Sequence, residues 1–155
     1  MKRLVTSGEL QRLFLSEDKR TIINRPNCRK FCLDNDIYME IHEKAWLIDF
    51  KPFMKKVNPS RISKHYDLPI MRNIRQCVRI WNNKHRRFSQ IIDKHTVERF
   101  LKDKRVFAYN YGNRWIINYS QLEIVIEEYF RKTNYKIRRI KRKKGPKKTE
   151  SINEV

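Results

Sequence analysis

Glycine is nearly absent from this chain, with three in 155 residues. A loop that cradles phosphate with successive backbone N–H groups needs several glycines close together, so that kind of nucleotide site is excluded. Cysteine is as scarce, and Cys28, Cys32 and Cys77 offer no disulfide framework, in agreement with a reducing compartment. No apolar run approaches the roughly 20 residues that a helix needs to span a bilayer. Leu4-Val5 is soon interrupted by Glu9, so no signal-peptide core is expected either. Acidic residues number 17 against 37 Lys and Arg, leaving a net charge of +20 and a pI near 10.2. Such a balance speaks about partners rather than fold: nucleic acid first, an anionic surface second. A cytoplasmic, nucleoid-associated protein with no membrane partner is the expectation.

Catalytic chemistry leaves no trace. There is no nucleophile motif and no paired acid, so an enzyme is not expected, nor a cofactor. His42, His65, His85 and His95 are scattered outside any metal or acid–base constellation. Cys28 and Cys32 lie one helical turn apart, but no second pair at zinc spacing accompanies them, so no metal is expected.

What is present is a repeat. Shifting the sequence by 69 positions lays residues 22–50 on residues 91–119 without a gap. Six positions are identical, including Phe31 with Phe100, Trp46 with Trp115 and Ile48 with Ile117. Other apolar positions exchange like for like: Cys28 with Val97, Ile37 with Val106, Leu47 with Ile116. Apolar positions kept while polar ones drift indicate two copies of one core. The predicted fold is α+β, mainly α, in two units at residues 1–58 and 70–131, joined by a linker at 59–69. A basic, disordered arm is predicted over 132–155, since eleven of the eighteen residues 131–148 are Lys or Arg.

Within each unit the pattern predicts a helix, a break, a capped helix, a hairpin and a closing helix. Ser7 is the predicted cap of the first helix, with Leu10, Leu13 and Phe14 on its inner face. Asn24 caps residues 25–34, with Pro26 in the first turn where a missing N–H costs nothing. Ile37, Met39 and Ile41 alternate toward a tip at His42-Glu43-Lys44, then Trp46 and Ile48 return, and Pro52 opens a short helix. In the second copy a helix is predicted over 71–81 and a break over 82–89. Asp93 then caps 94–103, Gly112-Asn113 forms the hairpin turn, and Ser120 with Glu123 launches the last helix as a capping box.

The run Lys94-His95-Thr96-Val97-Glu98-Arg99-Phe100-Leu101, followed by Tyr111-Gly112-Asn113-Arg114-Trp115-Ile116-Ile117 and Ser120-Gln121-Leu122, resembles the excisionase-like DNA-binding domains of the MerR-type winged helix-turn-helix class. In the first copy only Trp46 of the Gly-Asn-Arg-Trp wing survives. The resemblance implies tandem winged helix-turn-helix domains, each with a two-stranded wing, the second helix entering the major groove and the wing reaching the adjacent backbone. It assigns Lys94, His95, Thr96, Glu98 and Arg99 to bases in the second copy, and Arg25, Asn27, Arg29 and Lys30 in the first. Wing contacts fall to Asn113 and Arg114 in the second copy and to His42 and Lys44 in the first. Phosphate contacts fall to Arg86 and Arg87 in the break and to Arg138, Arg139, Lys141, Arg142, Lys143 and Lys144 in the arm. Arg pairs bidentately with guanine and Asn with adenine, while Lys serves mainly as a phosphate charge.

The expected function is sequence-specific binding of double-stranded DNA, as a transcription regulator or excisionase-type architectural factor of a phage or mobile element. Two alternatives stand beside it. One is an RNA- or ribosome-associated basic protein. The other is an adaptor whose first copy has turned to a protein partner or to self-association.

Overall fold

The computed structural model describes residues 2–58, 68–86 and 90–144, the last ten of them by backbone alone. Within these residues the chain is α+β, with six helices and two three-stranded antiparallel sheets. The first half runs β1 (Leu4–Thr6), α1 (Ser7–Glu17), α2 (Arg25–Asp34), β2 (Met39–His42), β3 (Ala45–Asp49) and α3 (Phe50–Val57). The second runs β4 (Met71–Arg72), α4 (Ile74–His85), α5 (Lys94–Phe100), β5 (Ala108–Tyr111), β6 (Arg114–Asn118) and α6 (Tyr119–Lys144).

The sheets are ordered β1-β3-β2 and β4-β6-β5, so each predicted two-stranded hairpin carries a third strand. That strand precedes the first helix and is too short to show alternation. Leu4 pairs with Asp49 as Met71 pairs with Asn118, and Val5 with Ile48 as Arg72 with Ile117. The repeat therefore reaches back to β1 at a shift of 67, and two extra residues in the break between the second pair of helices restore 69. Even single tertiary bonds recur. Phe50 N–H donates to Arg3 O at 2.9 Å and Tyr119 N–H to Ile70 O at 2.8 Å, while Asp49 and Asn118 N–H donate to Tyr38 and Phe107 O at 3.0 Å.

Capping explains where the helices start. Thr6, not Ser7, caps α1 through a reciprocal box with Glu9, and Ser7 is buried. Asn73 and Gln76 repeat that box on α4, so the helix predicted over 71–81 starts at Ile74, after a strand, and runs on through His85. Asn24 caps α2 as expected, and Asp93 caps α5, which ends at Phe100 rather than at 103. On α6 the cap oxygen belongs to Asn118, whose Oδ1 accepts from Gln121 N–H at 3.2 Å, and Ser120 Oγ instead accepts from Ile70 N–H. The predicted arm is helical through Lys144. Lys and Arg are good helix formers, and each added residue extends an existing helix at little cost. Most of the linker, Arg87 and the end of the arm lie outside the described residues.

Two apolar clusters fill the halves. Leu10, Phe14, Phe31, Ile48 and Phe53 centre the first, and Cys77, Trp81, Val97, Ile117, Leu122 and Ile126 the second. Phe14 and Trp81 occupy the same place in the repeat and are both fully buried. Trp46 and Trp115, by contrast, are half-buried.

The halves also pack on each other. Phe31 meets Phe107 and Tyr109 edge-on at 5.3 and 5.1 Å, and Tyr109 Oη donates to Asp34. Asn118 Nδ2 donates to Val57 O at 2.9 Å. Arg72, 6% exposed, grips Asp18 with both guanidinium nitrogens, one of them at 2.8 Å.

Candidate nucleic-acid interface

The inner side of α2 is Cys28, Phe31 and Cys32, and that of α5 is Val97, with Phe100 and Leu101 packed against its core. Turning the helices on these anchors leaves one outward face on each. On α2 it comprises Arg25, Pro26, Arg29, Lys30 and Leu33; on α5 and its end, Lys94, His95, Glu98, Arg99 and Lys102. The two sets coincide under the 69-residue shift. The predicted residues on these faces are therefore brought together, and Lys102 joins them one turn beyond the expected set.

Asn27 and Thr96 do not belong there. Each stands at the third position of its helix and is consumed by the cap. Asn27 is 5% exposed, its Oδ1 accepts from Asn24 N–H at 3.0 Å and its Nδ2 donates to Ile22 O at 2.8 Å. Thr96 donates its hydroxyl to Asp93 Oδ1 at 2.9 Å and its N–H to the same oxygen. Those two bonds hold the Asp93 carboxyl below its ordinary range. Asn27 is thus buried and used by the cap rather than offered to bases, while Thr96 is half-exposed and held by its bonds to Asp93.

The arginines are pre-positioned by different means. Arg29 Nε donates to Ser7 Oγ at 3.4 Å, and its guanidinium sits 5.4 Å from the centre of the Trp46 ring, tying the helix to its own hairpin. Arg99 lies 5.3 Å over Phe100 and 5.2 Å over Tyr129, so it leans toward α6. Stacking on aromatic faces orders a guanidinium while leaving its donors at the edge. Arg25 lies along α1, where a Cβ on Gly8 would stand 3.0 Å from its Nη2. Lys94 Nζ and His95 Nδ1 each approach Glu98 at 3.7 Å. Such exposed pairs contribute under about 1 kcal/mol, so a phosphate competes with them readily.

The hairpin tips differ. Gly112 and Asn113 both adopt positive φ, at 51° and 68°, the conformation of a tight two-residue turn, and Arg114 follows them exposed. In the first half Glu43 takes φ 56° beside exposed Lys44, with no glycine to ease it. Arg86 is exposed just past the end of α4. The arm cations lie on the α6 backbone.

No family model, no curated protein and no solved structure matches this chain. Its chemistry is therefore argued from its own residues. Cys28, Cys32 and Cys77 are free and buried, and that burial pushes their thiols up to about 12. No helix among the described residues is long and apolar enough to cross a membrane. One side-chain cluster escapes the sequence pattern: His85, Glu123 and Glu127 converge across the packing of α4 on α6. Only the four-residue spacing of the two glutamates was visible beforehand.

Proposed function

We propose that this chain binds double-stranded DNA through two winged helix-turn-helix units in tandem, α2 and α5 each entering a major groove. In this reading the β2–β3 and β5–β6 turns touch the flanking backbone, and the basic extension of α6 adds phosphate contacts. The observation that carries the reading is the coincidence of the two outward helix faces under the repeat, each anchored from below by the same core positions. A net charge of +20 suits the ligand. The faces share a place but not a sequence, so the target is an asymmetric or imperfect direct repeat. The role is that of a transcription regulator or an excisionase-type architectural factor.

Selection of bound sequences from a random duplex pool, with structured RNA as competitor, tests this. A bipartite motif is the expected result; the absence of any motif together with preference for RNA overturns it.

A second reading applies to α2 alone. Leu33 is 63% exposed on its outward face, where the second half has Lys102, and Ile41 is 60% exposed on β2. Exposed apolar side chains on this half, with Glu43 at its hairpin tip, fit a protein partner better than phosphate. A motif that lacks its first half, and is unchanged by Arg29→Ala, selects this reading.

A further inference from the structure

Among the described residues two buried side-chain polar atoms have no hydrogen-bond partner: His85 Nε2 and Tyr119 Oη. Both belong to the same seam. His85 ends α4 and stacks on Trp81 with ring centres 3.6 Å apart; Tyr119 opens α6 and is 2% exposed. On α6, Glu123 and Glu127 follow Tyr119 at successive turns. An unpaired buried polar atom costs about 1–3 kcal/mol, so a partnerless nitrogen on an imidazole beside two carboxylates calls for an occupant.

The ligand atoms offered by His85, Glu123 and Glu127 all lie within 4.8 Å of one another. Zinc-like ions bind imidazole nitrogen and carboxylate oxygen at about 2.0–2.2 Å, so tetrahedral ligands of one ion sit roughly 3.4 Å from each other. Rotation of the long glutamate side chains, moving each carboxylate by on the order of 1 Å, brings the three groups to that spacing. We propose that His85, Glu123 and Glu127 bind a divalent first-row transition metal of the zinc class, clamping the end of α4 to α6.

The donor set chooses the ion. An imidazole ligand disfavours Mg²⁺ and Ca²⁺, which take oxygen shells, and favours Zn²⁺, Co²⁺ and Ni²⁺. Three protein ligands leave a position for water. Lys84 complicates the site without blocking it. Its ammonium donates to Glu123 Oε1, leaving the other oxygen for the ion. A fixed positive charge there opposes the metal. Since α6 continues from Glu127 to Lys144, a bound ion also fixes the direction of the basic extension against α4.

The test uses the full chain without an affinity tag. Co²⁺ is added and its visible absorption recorded, and Zn²⁺ affinity is measured by competition with a chromophoric chelator. The wild type is expected to give the intense visible bands of four-coordinate Co²⁺ and a higher melting temperature in Zn²⁺ than in EDTA. Glu127→Gln and His85→Phe, which keeps a ring on Trp81, should abolish the bands and weaken Zn²⁺ by more than about 100-fold, beyond the loss of an outer-shell partner. Lys84→Gln should tighten binding by about tenfold by removing a like charge. The proposal is overturned by a wild type without cobalt bands, by a His85→Phe chain that binds within twofold of it, or by Lys84→Gln weakening the site.

Discussion

On the outward face of α2 stand Arg25, Pro26, Arg29, Lys30 and Leu33; on that of α5, Lys94, His95, Glu98, Arg99 and Lys102. Beneath both, Cys28 and Val97, Ile48 and Ile117, Phe14 and Trp81 fill the same buried places. The closing helices diverge most, α3 stopping after 8 residues and α6 running for 26. Burial constrains what packs, and water leaves the rest open to change. The halves are thus two versions of one scaffold that keep their buried places and differ on their outward faces and in their closing helices. They are not interchangeable at their contact, where Asp18 of the first half serves Arg72 of the second.

That contact gives the largest expected effect. Asp18→Ala strands the Arg72 guanidinium in a site where it is 6% exposed, which should cost about 3–5 kcal/mol in urea unfolding. Asp18→Asn, still an acceptor, should cost less. The pair also sets an acid limit. The side-chain bond from Arg72 lowers the Asp18 pKa, so its stabilisation is complete above the ordinary carboxylate value of about 3.9 and fades as pH falls through the depressed one. Unfolding measured between pH 5 and the acid limit should show this slope in the wild type and a shallower one in Asp18→Ala.

Next comes a matched pair. Phe31 is 4% exposed and meets Phe53, Phe107 and Tyr109, whereas Phe100, its counterpart, is partly exposed and meets Tyr129. Phe31→Ala should cost about 3–5 kcal/mol and Phe100→Ala roughly half of that. Equal costs would mean that the contact between the halves adds little.

On DNA, Arg99→Ala and Arg29→Ala should each relax one half of the selected motif, at about 1–3 kcal/mol. Removing residues 132–155 should weaken all sequences alike and flatten the dependence of affinity on salt. An Arg29→Ala chain with an unaltered motif leaves DNA to the second half.

The turns should give the smallest effects. Gly112→Ala meets no atom within 4 Å, so its cost is backbone strain alone, about 1–2 kcal/mol by thermal unfolding. Glu43→Gly at φ 56° should instead stabilise by about 0.5 kcal/mol, strain relief less the entropy of a freer unfolded chain.

Much of this architecture was legible in the chain. The caps at Asn24 and Asp93, the turn at Gly112-Asn113 and the inner residues Cys28, Phe31 and Val97 are all encoded by neighbours a few positions apart. What escaped depends on distant partners. β1 and β4 are three and two residues long, and each is a strand only because β3 or β6 lies beside it. Asn27 is an exception: it has the chemistry of a base reader, but its partners Asn24 and Ile22 are local, and the capping box it forms was open to sequence reading. His85 meets Glu123 and Glu127 only once α4 has packed on α6.

The register of β4 against β6 has a consequence for synthesis. The first sheet can close as soon as Asp49 has left the ribosome, since β1, β2 and β3 are then all present. Met71 must wait for Asn118, its partner across the second sheet. In the interval the nascent second half finds finished companions only in the first: Asp18 for Arg72 and Ile22 N–H for the Met71 carbonyl. The earlier copy is thereby a mould on which the later one is cast.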